Sequence, residues 1–242
     1  GLSLNGSAGL TMSGTAKLIS DYTVAGTTAP ELTGTYNLTG GTIDFESDNA
    51  QNIRSLTSAP SAYYDVILSG TASTKTLAGD VVIQNDLTIS ETAELDVSAS
   101  NYDINIAGNW NVTSTDADPF IEQLGTVTFD GSTAQSITTV RGGGETFYDL
   151  TLSNSTGVTL VDQITAANDL TISSGAVFSA GGNAISISGD WINSGGTFTP
   201  ASNIVTFAGA SQSISKSSAE TFYGLVLQGS ATKTAGCDIV VT

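Results

Sequence analysis

The sequence predicts an all-β fold, a parallel β-helix (β-solenoid) with coils of about 20 residues grouped in long repeats of about 80 residues. Three observations lead there. The chain has 242 residues, of which 35 are Thr, 31 Ser and 27 Gly, with only 4 Pro. Thr is β-branched and a poor helix former, so this composition favours strands over helices. The chain also repeats itself at two periods, and its apolar residues alternate with polar ones inside the repeats.

The long period is marked by Phe45, Phe129 and Phe207, each closing a segment of the type Gly41-Thr42-Ile43-Asp44-Phe45. A Gln-x-Ile follows in every copy: Gln51 to Ile53, Gln135 to Ile137, Gln212 to Ile214. Next comes an aromatic pair, Tyr63-Tyr64, Phe147-Tyr148 or Phe222-Tyr223, leading into Val66/Leu68, Leu150/Leu152 or Leu225/Leu227. Asp86-Leu87-Thr88-Ile89 matches Asp169-Leu170-Thr171-Ile172. Ile104 to Trp110 matches Ile185 to Trp191. The boundaries read as 1–40 for the end of a preceding repeat, 41–124 and 125–201 for two repeats, and 202–242 for the start of a further, truncated one. All four read as one continuous solenoid.

Apolar-x-apolar strands subdivide each long repeat into about four steps, giving about twelve short units, with Leu2/Leu4 and Leu18 as remnants upstream. Such a unit cannot bury its own apolar face and must lie on its neighbours. Stacked coils about 4.8 Å apart do this, and an antiparallel sandwich is the alternative. The linkers are too long and variable for two-residue hairpins and rich in Ser, Thr, Asn and Gly, which suits solenoid corners. In Val127-Thr128-Phe129 and Leu170-Thr171-Ile172 the period of two points the apolar residues in and Thr out. Trp110, Trp191, Tyr64, Tyr148 and Tyr223 recur at equivalent places, so packing is expected of them rather than sugar stacking.

Composition excludes several function classes. Asp and Glu number 23, Lys and Arg 6 and His 0, for a formal net charge of −17. Six scattered cations do not make a phosphate-binding surface, so no nucleic-acid partner is expected. Histidine chemistry is absent, and with it a Ser-His-Asp triad. No apolar run reaches about 18 residues, so no membrane insertion is expected. Cys237 is the only cysteine and rules out an intrachain disulfide. The chain shows neither an initiator Met nor a signal peptide, which is uninformative for a mature or partial chain, and the repeats cut at both termini lead to the expectation of a partial one.

Candidate chemistry is sparse. Asp116, Asp118 and Glu122 form the densest acidic stretch, a weak calcium-loop candidate with oxygen ligands but without EF-hand spacing. No cofactor is expected beyond loosely bound Ca2+. Arg54, Arg141, Lys75 and Lys233 stand singly, and Lys75-Thr76 and Lys233-Thr234 recur as repeat positions. Arg141 to Glu145 is glycine-rich but lacks the Gly-Lys-Ser/Thr ending of a phosphate loop. Asn5, Asn37, Asn111 and Asn154 head Asn-x-Ser/Thr triplets. The outward residues beside Phe45, Phe129 and Phe207 are Asp44, Thr128 and Thr206, with Thr88, Asn105, Thr171, Ser186 and Val226 on other strands. Taken as one ladder they are mixed and interrupted, which argues against an ice-binding Thr face. No enzymatic site is expected.

The phrases Gly125 to Ile137, Thr146 to Asn154 and Asn168 to Ala176 resemble the repeats of very large secreted surface proteins of Bacteroidota. The resemblance covers essentially the whole chain and carries no transferable catalytic or binding residues. It implies an extracellular, cell-surface location, export by the type IX secretion system, and use as an adhesin or fibre. The expected role is a non-enzymatic structural or adhesive stalk or filament segment. Expected partners are adjacent segments of the same giant chain or other copies end to end, with secretion machinery or cell-surface glycans. Alternatives are a carbohydrate-binding or polysaccharide-degrading β-helix, or an ice-binding solenoid.

Overall fold

A computed structural model describes residues 9–32, 34–140 and 142–242. Leu2, Leu4, Asn5 and Arg141 lie outside the described residues. Within them the chain is all-β, with short strands of two to five residues and no helix. The strands pair in parallel and stack as a β-solenoid. Contacts divide the chain into two compact units. The first comprises the residues up to Ile106 with Trp110–Gln123, and the second comprises Ala107–Asn109 with Leu124–Thr242.

The second unit is three-sided. One face is Thr126–Phe129, Asp149–Leu152, Leu170–Ile172, Trp191–Asn193, Gln212–Lys216 and Lys233–Ala235. The next is Gln135–Thr139, Val158–Leu160, Val177–Ser179 and Thr197–Thr199. The third is Glu145–Phe147, Ile164–Ala166, Ile185–Ile187, Ile204–Phe207 and Gly224–Leu227. The chain visits the three in turn, and Glu220–Phe222 pairs separately with Ile239–Val241. In the first unit one face runs Lys17–Ile19, Thr42–Phe45, Asp65–Leu68, Leu87–Ile89 and Trp110–Val112. A second runs Thr27–Ala29, Gln51–Ile53, Thr74–Leu77, Glu94–Asp96 and Phe120–Ile121. Its remaining strands pair Leu10–Met12 with Tyr36–Leu38 and Val81–Ile83 with Ile104–Ile106.

Alternation works as the sequence predicts. Leu150, Leu152, Leu170 and Ile172 are fully buried, while Thr151 and Thr171 between them face outward. Because the ladder is parallel and in register, like side chains stack: Leu150 on Leu170 and Leu152 on Ile172. The two aromatic markers of each repeat meet edge-on inside the coil. Ring centroids are 6.2 Å apart for Phe45 and Tyr63, and 6.3 Å for both Phe129 with Phe147 and Phe207 with Phe222. This geometry suits aromatic quadrupoles.

The coil length of about 20 residues holds, at about 23 residues per turn, but there are about ten turns and not twelve. Sequence reading took the step from Leu170 to Ile185 as one unit, but Ile185 lies on Ile164 and Leu170 lies under Trp191. That short step is a move between faces, not a turn. So the strands of Phe129 and Phe207, equivalent in sequence, occupy different faces of the second unit.

Candidate functional surface

The polar residues with the most chemical potential are engaged in joining one turn to the next. Gln51 of the Gln-x-Ile motif points inward, and its Nε2 donates to the Ser20 carbonyl at 3.0 Å and to Ser20 Oγ at 3.1 Å. Gln135 donates to the Gly108 carbonyl at 2.5 Å and accepts from Gly131 N at 3.0 Å and Asn154 Nδ2 at 2.9 Å. Gln212 donates to the Ile187 carbonyl at 2.9 Å. A lysine sits one turn above two of these glutamines, Lys75 over Gln51 and Lys233 over Gln212. Lys75 Nζ donates to the Ser47 carbonyl and to Ser73 Oγ at 2.6 Å. Lys233 Nζ donates to Gln212 Oε1 at 2.7 Å and to the carbonyls of Ala210 and Gly209. These lysines satisfy corner carbonyls that the ladder leaves open.

Lys75 is fully buried, and burial lowers its ammonium pKa to about 8, against the opposing pull of Asp48 and Asp44. The folded chain therefore binds fewer protons than the unfolded chain from about pH 8 up to the ordinary lysine range, and stability rises with pH across that window. Urea unfolding of the native chain should gain about 2 kcal/mol between pH 8 and 9.5. Lys75→Met should show no such rise. A flat native profile would contradict the lowered pKa of Lys75.

A second cluster escaped the sequence reading. Glu220, 1% exposed, accepts from Trp191 Nε1 at 3.0 Å and Asn193 Nδ2 at 2.7 Å, and pairs with Lys216 Nζ at 2.9 Å. The available signal was the repeated Glu-Thr-Phe of Glu145 and Glu220, each glutamate two residues before the first ring of an aromatic pair. Trp110 and Trp191 are both fully buried, so packing is their role. The second members of the aromatic pairs differ from expectation. Tyr63, Phe147 and Phe222 fill the interior, whereas Tyr64 and Tyr148 are half-buried and Tyr223 is exposed.

A third device runs along one edge. Asp149 Oδ1 accepts from Asp169 N at 3.0 Å, Asp169 Oδ1 from Asp190 N at 2.7 Å, and Asp190 Oδ1 from Ser213 N at 2.7 Å. Each carboxylate thus clasps the backbone one turn on. Asp65 does the same for Asp86 at 3.2 Å.

The calcium-loop candidates do not converge. Asp116 Oδ1 accepts from Asp118 N at 2.8 Å, a turn within the loop between Val112 and Phe120. Glu122 follows the next strand, and its carboxyl is raised by burial, with the Asp118 charge adding to the effect. Among the described residues no group of three or more His, Cys, Asp or Glu side chains is placed to hold a metal. Asn154 is fully buried, while Asn37 is exposed.

The outer surface is ordered in columns. In the second unit Ser136, Thr159, Ser179 and Thr199 stack in register on one face. Thr146, Thr165, Ser186 and Thr206 stack on another. Thr128, Thr151 and Thr171 stack on the third, followed by Ile192. The interrupted single ladder read from the sequence mixed residues of different faces. A void of about 10 Å³ lies among Ile53, Tyr63, Leu77 and Leu95. Two open depressions are lined by Gln163, Thr165, Ser186 and Thr206, and by Thr27, Thr28, Glu31 and Arg54. No family model, curated protein or solved structure matches this chain.

Proposed function

We propose that this chain is a non-enzymatic structural or adhesive segment of a bacterial cell-surface protein, a portion of a stalk or filament working outside the cell. The observation that supports this most is the use of its buried polar groups. Lys75, Lys233, the inward glutamines and Glu220 all bind turns or core side chains together, leaving an outside of hydroxyls and carboxylates. Such a ladder resists shear and extension because many parallel backbone bonds must break together. Its partners on this reading are neighbouring segments or other copies, and cell-surface glycans where it adheres. Export by a type IX route rests on the resemblance of the repeats. The test is incubation of the purified chain with a panel of acidic and neutral surface glycans, following both retention and cleavage. Retention without new reducing ends or unsaturated products is the expected result. Cleavage of any glycan would replace this reading with the polysaccharide-degrading one.

The in-register hydroxyl columns favour a second reading, an ordered-water or ice-binding face. Thermal hysteresis in solution, abolished by Thr151→Lys and Thr171→Lys, would support it. Its absence would leave the columns as a solubilising coat.

A further inference from the structure

On the third face of the second unit, the outward column Thr165, Ser186 and Thr206 lies in an open depression. Gln163 joins its lining two residues before Thr165, and Ala184 does so two residues before Ser186. The small side chains of Ala184 and Ser186 leave room between the larger ones of the adjoining turns. Every residue lining the depression is uncharged, on a chain of formal net charge −17. Its polar groups are also unspent. Elsewhere hydroxyls join turns: Ser90 Oγ donates to the Leu68 carbonyl at 3.0 Å and Thr156 Oγ1 to the Ser132 carbonyl at 2.8 Å. Among the described residues the hydroxyls of Thr165, Ser186 and Thr206 have no hydrogen-bond partner. Gln163 Nε2 has only a long contact, 3.4 Å to the Gly142 carbonyl, and its Oε1 accepts nothing there. Ile204, on the same strand and face as Thr206, is 49% exposed and sets apolar surface beside the hydroxyls. The strands Ile164–Ala166, Ile185–Ile187 and Ile204–Phe207 are each paired on both sides, so a peptide strand finds no open backbone here.

We infer that this depression is a binding subsite for a neutral, extended glycan of the β-1,4-linked type, lying along the column. The inference rests on the adhesive reading and names the chemistry of its partner. Turns of the ladder rise about 4.8 Å apart, close to the advance of one pyranose ring in such a chain, so successive rings meet successive hydroxyls. Each hydroxyl can donate once and accept twice, and the Gln163 amide offers both kinds of group, which matches the mixed donors and acceptors of a sugar. The C–H side of a ring rests on Ile204. A glycan bearing carboxylates is opposed by the field of the acidic chain, and no cation lines the depression to offset it.

The test is an amide NMR titration of the native chain with xylohexaose and, in parallel, with hexagalacturonate. Xylohexaose should shift the Thr165, Ser186 and Thr206 amides saturably, and hexagalacturonate should not. The double variant Thr165→Val, Thr206→Val keeps β-branched strand residues and removes two hydroxyls, so it should bind xylohexaose about tenfold more weakly. Thr128→Val, on another face, should leave binding unchanged. No shift with xylohexaose, an equal response to hexagalacturonate, or undiminished binding by the double variant would overturn the proposal. Glycan retention by the native chain separates the two levels. With retention intact, such a result removes this subsite alone; without retention, the glycan partner of the adhesive reading falls with it.

Discussion

Trp191→Ala should lower stability by about 3–5 kcal/mol, the usual cost of emptying a large aromatic site. The indole is fully buried, with ring centroids 4.7 Å from Phe198 and 5.3 Å from Phe222. Its Nε1 also donates to Glu220, so truncation removes packing and a donor to a buried carboxylate together. Trp191→Phe should cost less, because a ring remains in the cavity. In a solenoid each turn depends mainly on its neighbours. Hydrogen exchange should therefore accelerate first in Leu170–Ile172 and Gln212–Lys216, the strands paired with Trp191–Asn193. Urea titration with site-resolved exchange measures both effects. A loss below about 1 kcal/mol would mean that the indole is not a packing centre.

Gly209→Ala is expected to be nearly as damaging, at about 3 kcal/mol. A Cβ at Gly209 would overlap the Ser188 carbonyl of the turn below, a backbone group that cannot rotate aside. Relief requires lifting the turn, which strains the bond from Ala208 N to the Ile187 carbonyl at 2.8 Å. Gly142→Ala is the control. A Cβ there meets nothing within 4 Å, so its effect should stay within about 0.5 kcal/mol. Thermal melts of the two variants side by side decide the matter. Equal melting temperatures would show that turn spacing is not limiting at Gly209.

Much of this was legible because a solenoid writes its geometry into its repeats. Leu170-Thr171-Ile172 declares by alternation alone which residues face in, and its match at Leu87-Thr88-Ile89 declares that both do the same job. The recurrence of Trp110 and Trp191 was enough to expect burial. Lys75 and Lys233 were recognisable as architectural from their repetition. Their acceptors were not, because the Ser47 and Gly209 carbonyls reach them only after the chain has gone once around. Glu220 was missed because a carboxylate is ordinarily expected outside, and its partner Trp191 is 29 residues away. Asp116, Asp118 and Glu122 are close in sequence, but among the described residues they form no group of three placed to hold a metal.

The sequence by itself determined the class of fold, the inward side of its apolar-x-apolar strands, and the stacking of like on like, since these follow from a period of two and from units too short to bury themselves. Only the tertiary structure decided how many strands complete a turn and which face each one joins. Face assignment depends on where the corners bend. The corners are set by unequal loops and contacts between turns, such as Gly209 against Ser188 or Asp169 clasping Asp190, which no local pattern encodes.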